Sequence, residues 1–462
     1  MTIMNEEPGI DKTIEEKFTK FIKRFNINKL LRKIAATKEK GIPACAIFAF
    51  LLGLVFTHKN YYATFTSRRG NLSFGKDAAY RFLARPQVYW EEFIPTLAAD
   101  VIKDIDRLTS ENRIKVWIFD DTAYYRDRSK KAELLSWCKD HSENRSYKGF
   151  TFLTMGWSDG VTFIPSDFRV VASGNDEKLI EGSHVKQDRR TRATKRRSAA
   201  RTGKPALLLQ MLDRAKHINP DTKHVLFDSW FNSPKAILDI KAKGYDVVAR
   251  MKNNEKYRYL YNGECLSISQ IYKANKKRRG RSRYLLSVSV EVRQNDYDKT
   301  VPANIVFVRE RSNRKKWFAI ISTDLALSEE EIIALYGKRW DIEPYHKVIK
   351  SVLHLNKEFQ LRSFDAIVAH ASIVLTRYIF LALESRENKD DRSIGDLFML
   401  ICDELEDITF RYAFDLLLST LESCLGEFLL LSKDRINGLV SLFLASLPCF
   451  IKDKLRFAVC ES

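Results

Sequence analysis

Three carboxylates in this chain stand where they could hold metal ions together. Asp121 and Asp228 each end a short apolar segment, and Glu343 lies much later, in a stretch with helical spacing. Mg²⁺ prefers oxygen ligands and needs few protein carboxylates, so three converging acids would form a site for hard divalent cations. An Asp after an apolar strand is commonly a turn residue or a helix cap instead. The prediction of a metal site therefore depends on a fold that brings these side chains together.

The segment around Glu343 carries the strongest pattern in the chain. At about 100° per residue, five side chains project onto one helical face. They are Tyr336, Arg339, Glu343, Lys347 and Lys350. Three cations around one acid suit contact with phosphates, but a surface helix with i,i+4 ion pairs explains the same spacing without a function. Pro344 directly follows Glu343 and removes a helical hydrogen bond, so a kink is expected there.

Strands and helices alternate in the region that would position these acids. The predicted strands span 113–119, 150–157, 161–172, 223–228 and 246–251, and the predicted helices between the later strands span 206–217 and 234–242. The first three strands predict a meander, and the alternation that follows predicts a mixed α/β sheet. Because side chains alternate along a strand, only one of the adjacent Asp120 and Asp121 can face a metal site.

The spacing of the later segment resembles a known signature, written here as Tyr336-x2-Arg339-x3-Glu343-x6-Lys350. It is similar to the signature of the cut-and-paste DDE transposases of bacterial insertion sequences, specifically the insertion-sequence-four family. The Asp121-Thr122 pair resembles the strand-end Asp-Thr that supplies the first acid of that family. Asp228, within Leu-Phe-Asp-Ser, resembles the second, and Glu343 follows a β-rich segment as the third acid does. The resemblance covers roughly residues 110–355.

This resemblance implies an α/β fold. Its centre would be an RNase H-like mixed-sheet catalytic core, interrupted by a β-rich insertion and flanked by N- and C-terminal helical domains. The predicted divisions are a helical N-terminal DNA-binding domain at 1–110, the first part of the catalytic core at 111–252, the β-rich insertion at 253–323, the signature helix of the core at 324–360, and a helical C-terminal domain at 361–462.

The resemblance also implies a role for each matched residue. Asp121, Asp228 and Glu343 would be the catalytic acids and would hold two Mg²⁺ ions, for which Mn²⁺ can substitute. The DNA-binding residues would be Arg339 and Lys350, which would grip phosphates, with Lys347, Tyr336 and Trp317. Lys347 would assist the phosphate contacts, and Tyr336 would orient the transferred DNA end.

Two of these assignments have alternatives. Asp121 is preferred over Asp120 because it directly precedes Thr122, as in the family. Trp317 stands some twenty residues before the signature, as does the tryptophan that stacks on a flipped base in related proteins. Base stacking suits an indole ring, but a core tryptophan in an apolar strand explains Trp317 equally well.

The charge of the chain favours a polyanionic partner. The 462 residues carry a formal net charge of +19, and residues 181–283 contain 26 basic and 9 acidic residues. Two basic runs, 186–204 and 276–283, are predicted to contact phosphates from flexible loops, with solvated loops as the alternative. Residues 384–462 carry 9 basic and 15 acidic residues, which favours a packing or partner region there.

These observations predict a DNA transposase that binds element ends, cleaves them with divalent metal and joins them to target DNA. Its partners would be double-stranded DNA and a second copy of the chain, because two ends must be held together. The alternatives are an RNase H-like nuclease without strand transfer and an inactive DNA-binding descendant.

The seven widely spaced cysteines predict reduced thiols. The longest apolar run, 42–56, is too short to span a membrane, so a cytoplasmic, nucleoid-associated location is expected.

Overall fold

The computed structural model describes residues 11–452 except 39, 58–73, 111–112, 141–142, 185–189, 279–281, 283, 294–299, 311–312, 314–315, 390–391, 429–431 and 449–450. The described α-helices, numbered in chain order, are α1 Asp11–Arg24, α2 Ile27–Lys33, α3 Ala44–Gly53, α4 Lys76–Leu83, α5 Trp90–Asp106, α6 Arg192–Ala200, α7 Lys204–Ile218, α8 Pro234–Ala242, α9 Ile268–Ala274, α10 Glu329–Gly337, α11 Ile342–Lys347, α12 Phe364–Glu387, α13 Ile394–Phe428 and α14 Lys433–Ser446.

The described strands are β1 Val116–Tyr125, β2 Ser136–Asp140, β3 Arg145–Ser158, β4 Phe163–Val171, β5 His224–Phe227, β6 Asp246–Arg250, β7 Tyr259–Tyr261, β8 Glu264–Leu266, β9 Tyr284–Val292, β10 Val301–Arg309 and β11 Trp317–Ser322. They form one mixed sheet in the order β2-β3-β1-β5-β6-β11-β10-β9-β7-β8, with β4 paired to β3. The mixed α/β class with helices flanking a large sheet is confirmed.

The centre of the sheet sets two acids beside each other. β1 runs antiparallel to β3 and parallel to β5, and β5 runs parallel to β6. Phe119 of β1 pairs with Phe227 of β5, so Asp120 and Asp228 follow paired residues on adjacent strands. The carboxyl ends of parallel strands meet at one edge of a sheet, where open α/β folds place their ligands. That edge is therefore the expected position of a functional site.

The burial of side chains changes along β1, from fully buried residues in the core to partly buried residues beyond it. Its first four residues, 116–119, are buried on both faces, as expected for an interior strand between parallel and antiparallel neighbours. From Asp120 to Ala123 the side chains are only partly buried. The apolar half anchors the strand, and the polar half reaches the edge of the sheet.

The β-rich insertion does not form a separate sheet. β11 pairs antiparallel with β6, and β10 and β9 continue outward from it, so this region extends the central sheet. The insertion also contains one helix, α9, which the sequence analysis did not predict. Its capping box joins Ser267 and Gln270 at the helix start, a signal that the sequence contained.

Helix α12 lies at the centre of the helical layer. It packs against α5 and β4, and almost all of its residues are buried. Within the described residues, α12 is the helix that is long and apolar enough to cross a membrane, and the window that meets this test is wholly buried in the protein. The longest uninterrupted apolar run in the sequence, 42–56, is a different segment, because Asp365, His370 and Arg377 interrupt the apolar sequence of α12.

The sequence predicted most strands of the core. The predicted meander corresponds to β1, β3 and β4, and the later strands and helices match β5, α8 and β6. β2 is not among the predicted strands; it pairs with the first five residues of β3, so β3 begins before the predicted residue 150. The five-part division into domains stays a prediction.

Candidate active site

Asp120, in the middle of β1, lies near Asp228 at the point where the parallel neighbour β5 ends, and its surroundings are electrostatically unusual. Burial raises the pKa of Asp120 to about 7, against the opposing charge of Arg339, and the neighbouring Asp121 and Asp228 raise it further. Neighbouring carboxylates that repel one another and are partly shielded from solvent are typical of metal-binding and catalytic sites. A bound cation would relieve this repulsion.

Arg339 supplies a cation at this point in the structure. Its Nη1 lies 3.3 Å from Asp120 Oδ2 and 3.3 Å from Glu343 Oε1. The Arg339 side chain is buried, whereas that of Glu343 is 44% exposed. The guanidinium carbon also lies 4.7 Å from the centre of the exposed Trp340 ring. Asp120 and Glu343 thus converge on one positively charged position that opens to solvent on the Glu343 side.

Asp121 is directed away from this position. Its Oδ1 accepts a hydrogen bond from the Nζ of Lys204, the first residue of α7, at 2.9 Å. Strand alternation places Asp121 on the opposite face of β1 from Asp120. Asp120 pairs with Thr154 of β3, whose hydroxyl lies 3.3 Å from the Tyr345 hydroxyl of α11, so the Asp120 face is the one that α11 covers.

The structure therefore differs from the expectation that Asp121 joins Glu343. The adjacent Thr122 shares the Asp120 face, and its hydroxyl accepts a hydrogen bond from Lys350 Nζ at 2.8 Å. The match to an Asp-Thr pair selected the residue next to Thr122 in sequence. The side chain that lies beside Thr122 on the strand face is that of Asp120, two residues earlier.

The signature segment approaches the sheet edge through a series of different helical turns. α10 ends at Gly337, residues 338–341 form a 3₁₀ turn, α11 follows, and residues 348–352 form a π-helical turn. Pro344 lacks the N–H that a continuous α-helix would use, which agrees with the expected interruption. Single π-helical turns occur frequently at functional sites, and this one carries Lys350.

The other signature residues divide between the site and the surface. Tyr336 is buried, and burial raises the pKa of its hydroxyl, against nearby Arg339 and Arg250 and with a further contribution from Asp228. Tyr336, Arg339, Glu343 and Lys350 therefore gather around the acid-bearing edge. Lys347 is exposed.

His346 belongs to the same cluster, although the sequence analysis gave it no role. One ring nitrogen of His346 and carboxylate oxygens of Asp120 and Glu343 all lie within 4.8 Å of one another. Burial lowers the pKa of His346 to about 3, with Lys350 and Arg339 adding to the effect, so the ring is neutral. The signal that could have identified it was the Glu-x-x-His spacing, which places both side chains on one helical face.

Trp317 packs inside the insertion. Its ring stacks on Tyr272 of α9 at 4.5 Å between centroids and meets the Phe307 ring at 5.2 Å. This packing favours the core-tryptophan interpretation. A different tryptophan lies beside an acid: Trp230 is 38% exposed, and its backbone N–H donates to Asp228 Oδ1 at 2.8 Å.

The first basic run is not a flexible loop throughout. Arg196 and Arg197 of α6 are buried and pair with carboxylates of other elements. Arg197 Nη2 lies 2.7 Å from Glu133 and 2.8 Å from Asp365 of α12. These two arginines therefore stabilise the interior, and the prediction that the whole run contacts phosphate is wrong for them. Lys186 and Arg189 lie outside the described residues.

The second basic run lies partly outside the described residues, at Arg279, Arg281 and Arg283. In its described part, Lys277 Nζ lies 4.6 Å from the centre of the Tyr272 ring, and the Arg278 guanidinium lies 4.1 Å from that of Tyr284. Both contacts pair a cation with an aromatic face within the insertion.

The donor set fits a divalent metal. Asp120, Asp228 and Glu343 offer carboxylate oxygens at a solvent-accessible edge, and the Arg339 guanidinium bridges two of them as a cation would. Hard divalent cations take carboxylate and water oxygens in this way. The buried His346 adds a neutral nitrogen.

Comparison with protein families agrees with this geometry. Residues 49–315, more than half of the chain, match the DDE superfamily endonucleases, and the chain belongs to that family. It is therefore placed among the transposase-like, metal-dependent nucleases that act on DNA. The matched range includes Asp120 and Asp228 and ends before Glu343. The comparison with curated proteins gave no match.

Proposed function

We propose that this chain is a DNA transposase of the insertion-sequence-four type, which cleaves the ends of its element and joins them to target DNA. The observation that carries the proposal is the convergence of Asp120 and Glu343 on one cationic position beside Asp228. We assign the three acids as Asp120, Asp228 and Glu343, with Asp120 in place of Asp121. Membership of a DDE endonuclease family supports the nuclease step.

The acids would hold two Mg²⁺ ions, or Mn²⁺ in their place. When bound, such a pair would activate a water or a 3′-hydroxyl and would stabilise the leaving oxygen in phosphodiester displacement. Arg339 would move from the carboxylates to a DNA phosphate as the metals neutralise them. Lys350, held against Thr122, would contact a second phosphate, and Tyr336 would orient the transferred end. Lys347 would contact DNA from its exposed position.

Cut-and-paste chemistry requires two ends in one complex, so we propose a homodimer on double-stranded DNA in the bacterial nucleoid. The long helices α13 and α14 expose several large apolar side chains, the most exposed of which are Leu417 and Leu442. Exposed apolar residues on neighbouring helices are typical of protein contacts. These helices are our candidates for the dimer contact, and the N-terminal helices are candidates for recognition of the ends.

The proposal is tested with the full-length protein, Mg²⁺, a labelled DNA fragment that carries the native flanks of the gene, and a target plasmid. Cleavage and joining are followed separately. D120N, D228N and E343Q are expected to reduce cleavage at least 10³-fold, roughly the loss seen when a group central to the chemistry is removed, while DNA binding is retained. D121N is the matched control, because it preserves the size of the side chain on the opposite strand face and leaves an amide oxygen that can still accept the Lys204 hydrogen bond, so it should still cleave.

Each outcome separates the candidate functions. Loss of cleavage in D121N with activity retained in D120N would restore Asp121 as the first acid. Cleavage without joining would favour a nuclease, and DNA binding with neither reaction would favour an inactive descendant.

A further inference from the structure

His346 occupies a position that the proposed chemistry does not explain. It follows Glu343 by three residues, so both side chains lie on the same face of α11. The histidine is 5% exposed, and its Nε2 is buried without a hydrogen-bond partner among the described residues. A buried polar atom without a partner is costly, and most native structures satisfy such atoms. The buried His346 ring thus has an unpaired nitrogen and also places a ring nitrogen near two carboxylates, which makes it a candidate metal ligand.

The distances define what that ligand can be. One ring nitrogen of His346 and one carboxylate oxygen each from Asp120 and Glu343 lie within 4.8 Å of one another, so one ion among them can contact all three after small side-chain movements. Two donor atoms that share one ion at about 2.0–2.2 Å lie no more than about 4.4 Å apart, so donors at the upper end of this range must move slightly closer together. The Arg339 guanidinium, 3.3 Å from each carboxylate, already places positive charge between two of the three donors.

The donor types define the class of ion. Mg²⁺ is bound through oxygen, whereas imidazole nitrogen is a ligand for first-row transition metals. A Glu-x-x-His pair on one helix supplies both donors in di-iron and di-manganese carboxylate proteins. Glu343 and His346 have this spacing, and Asp120 adds an oxygen from β1.

We propose that His346 is a nitrogen ligand at one of the two metal positions and makes that position selective for a divalent transition metal, such as Mn²⁺, over Mg²⁺. This inference rests on the proposed function, because it concerns the same acids. Binding of the ion displaces Arg339 from Asp120 and Glu343 and frees its guanidinium for a DNA phosphate.

The test uses Mn²⁺ with the full-length protein in the absence of DNA. Continuous-wave EPR measures free Mn²⁺ and gives the affinity, and pulsed EPR detects magnetic coupling between bound Mn²⁺ and a ¹⁴N nucleus. We expect ¹⁴N coupling in the wild type and its loss in H346Q, with Mn²⁺ affinity reduced about 10- to 100-fold, the range typical for changes around a metal site. The Mg²⁺ affinity, measured by competition, should change much less.

Two further variants test whether the ¹⁴N coupling comes from the metal position beside Asp120 and His346. D120N should abolish Mn²⁺ binding at this position and with it the ¹⁴N coupling. H224N is the matched histidine control, because His224 also contacts a carboxylate, with its Nε2 2.8 Å from Asp324 Oδ2, but lies at the start of β5. Its Mn²⁺ affinity and coupling should equal those of the wild type.

The outcomes separate this inference from the proposed function. Bound Mn²⁺ that is lost in D120N but shows no ¹⁴N coupling in the wild type would overturn the role of His346 and leave the acids in place. Coupling that persists in H346Q would also overturn it. Absence of any Mn²⁺ binding, together with absence of cleavage, would count against the proposed function itself. Selective ¹⁵N labelling of histidine in the wild type changes the coupling pattern if a histidine is the ligand, and this measurement does not depend on the folding of a variant.

Discussion

Lys204 connects the acid-bearing strand to the loop that carries Asp228. Its Nζ lies 2.9 Å from Asp121 Oδ1 and 3.6 Å from the centre of the Trp230 ring. The backbone N–H of Trp230 in turn donates to Asp228 Oδ1. The Lys204 ammonium is therefore held between a carboxylate and an aromatic face, both of which attract a cation. Through these contacts Asp121 anchors the loop that carries Asp228, from the strand face opposite the proposed metal site.

Replacement of Lys204 should therefore slow chemistry through misplacement of Asp228. We expect K204A to lower the rate of cleavage at saturating DNA about 10- to 100-fold, because small displacements of reacting groups cost that much. The affinity for DNA should change little, and K204R should recover part of the rate. The measurement is single-turnover cleavage over a range of protein concentrations.

The control for this variant is K243A, which removes a lysine that pairs with the exposed Asp213. Its cleavage rate should equal that of the wild type. If K204A loses thermal stability yet cleaves at the wild-type rate, Lys204 stabilises the fold and does not position Asp228.

At the residue scale, the sequence located the candidate residues but not the strand face on which they lie. The end of an apolar strand predicts Asp228, and the signature spacing predicts Glu343, Arg339 and Lys350. The structure places these residues around Asp120. The choice between Asp120 and Asp121 required knowledge of which strand face α11 covers, and this is a property of packing that no local pattern contains. In the same way, the half-buried state of Trp317 depends on α9, a helix that the sequence analysis did not predict.

At the scale of elements, α12 is held in place by a buried charged group. Arg377 of α12 is fully buried and donates to both carboxylate oxygens of Glu358 at 2.8 Å. It also donates to the backbone oxygen of Leu52 in α3, so one side chain joins three parts of the chain. His370 of α12 lies 2.7 Å from the same carboxylate. A buried carboxylate with two such partners stays charged.

This arrangement predicts how stability depends on pH. Burial would raise the pKa of Glu358, but Arg377 and His370 outweigh it and lower the pKa to about 2, from 4.5 for an ordinary glutamate. A lowered carboxylate pKa stabilises the folded state above the ordinary value, and this stabilisation is lost as the pH falls from 4.5 towards 2. At neutral pH its magnitude is roughly 3 kcal/mol.

Substitution of Glu358 by Gln should remove the pH-dependent stabilisation of the folded state that Glu358 provides. We expect the difference in unfolding free energy between wild type and E358Q to be smaller at pH 3.5 than at pH 7 by about 1 kcal/mol. Urea unfolding at the two pH values measures it. E422Q, in α13, is a control and should show no such change, because Glu422 is exposed. A difference that is independent of pH would mean that Glu358 is neutral in the folded protein.

Element types were largely predictable, whereas their connections were not. The alternation of apolar residues gave the strands of the core and of the insertion, since that alternation follows from local geometry. The pairing of β11 with β6, which merges the insertion with the central sheet, is a long-range contact. The two arginines of α6 had the same sequence signal as surface cations, and only the tertiary fold shows their buried partners Glu133 and Asp365.

At the scale of the whole molecule, net charge remains the feature that favours a nucleic acid partner. The chain carries a net charge of +19, with an acidic C-terminal region and a basic middle region. Because Arg196 and Arg197 are internal, the exposed cations of α6 that remain available to DNA are Arg192 and Lys195. Each cation that contacts a phosphate releases a counterion and steepens the dependence of binding on salt.

Removal of Arg192 and Lys195 should therefore weaken DNA binding in a way that does not depend on sequence. We expect R192A/K195A to lower the magnitude of the slope of log affinity against log salt by about 2, close to 0.9 for each lost phosphate contact. Fluorescence anisotropy with element-end and unrelated duplexes measures both affinities. K433A/R435A removes two cations from α14, in the acidic region, and should leave the slope unchanged. If the two double variants reduce the slope of log affinity against log salt equally, net charge alone drives binding and α6 does not contact the DNA.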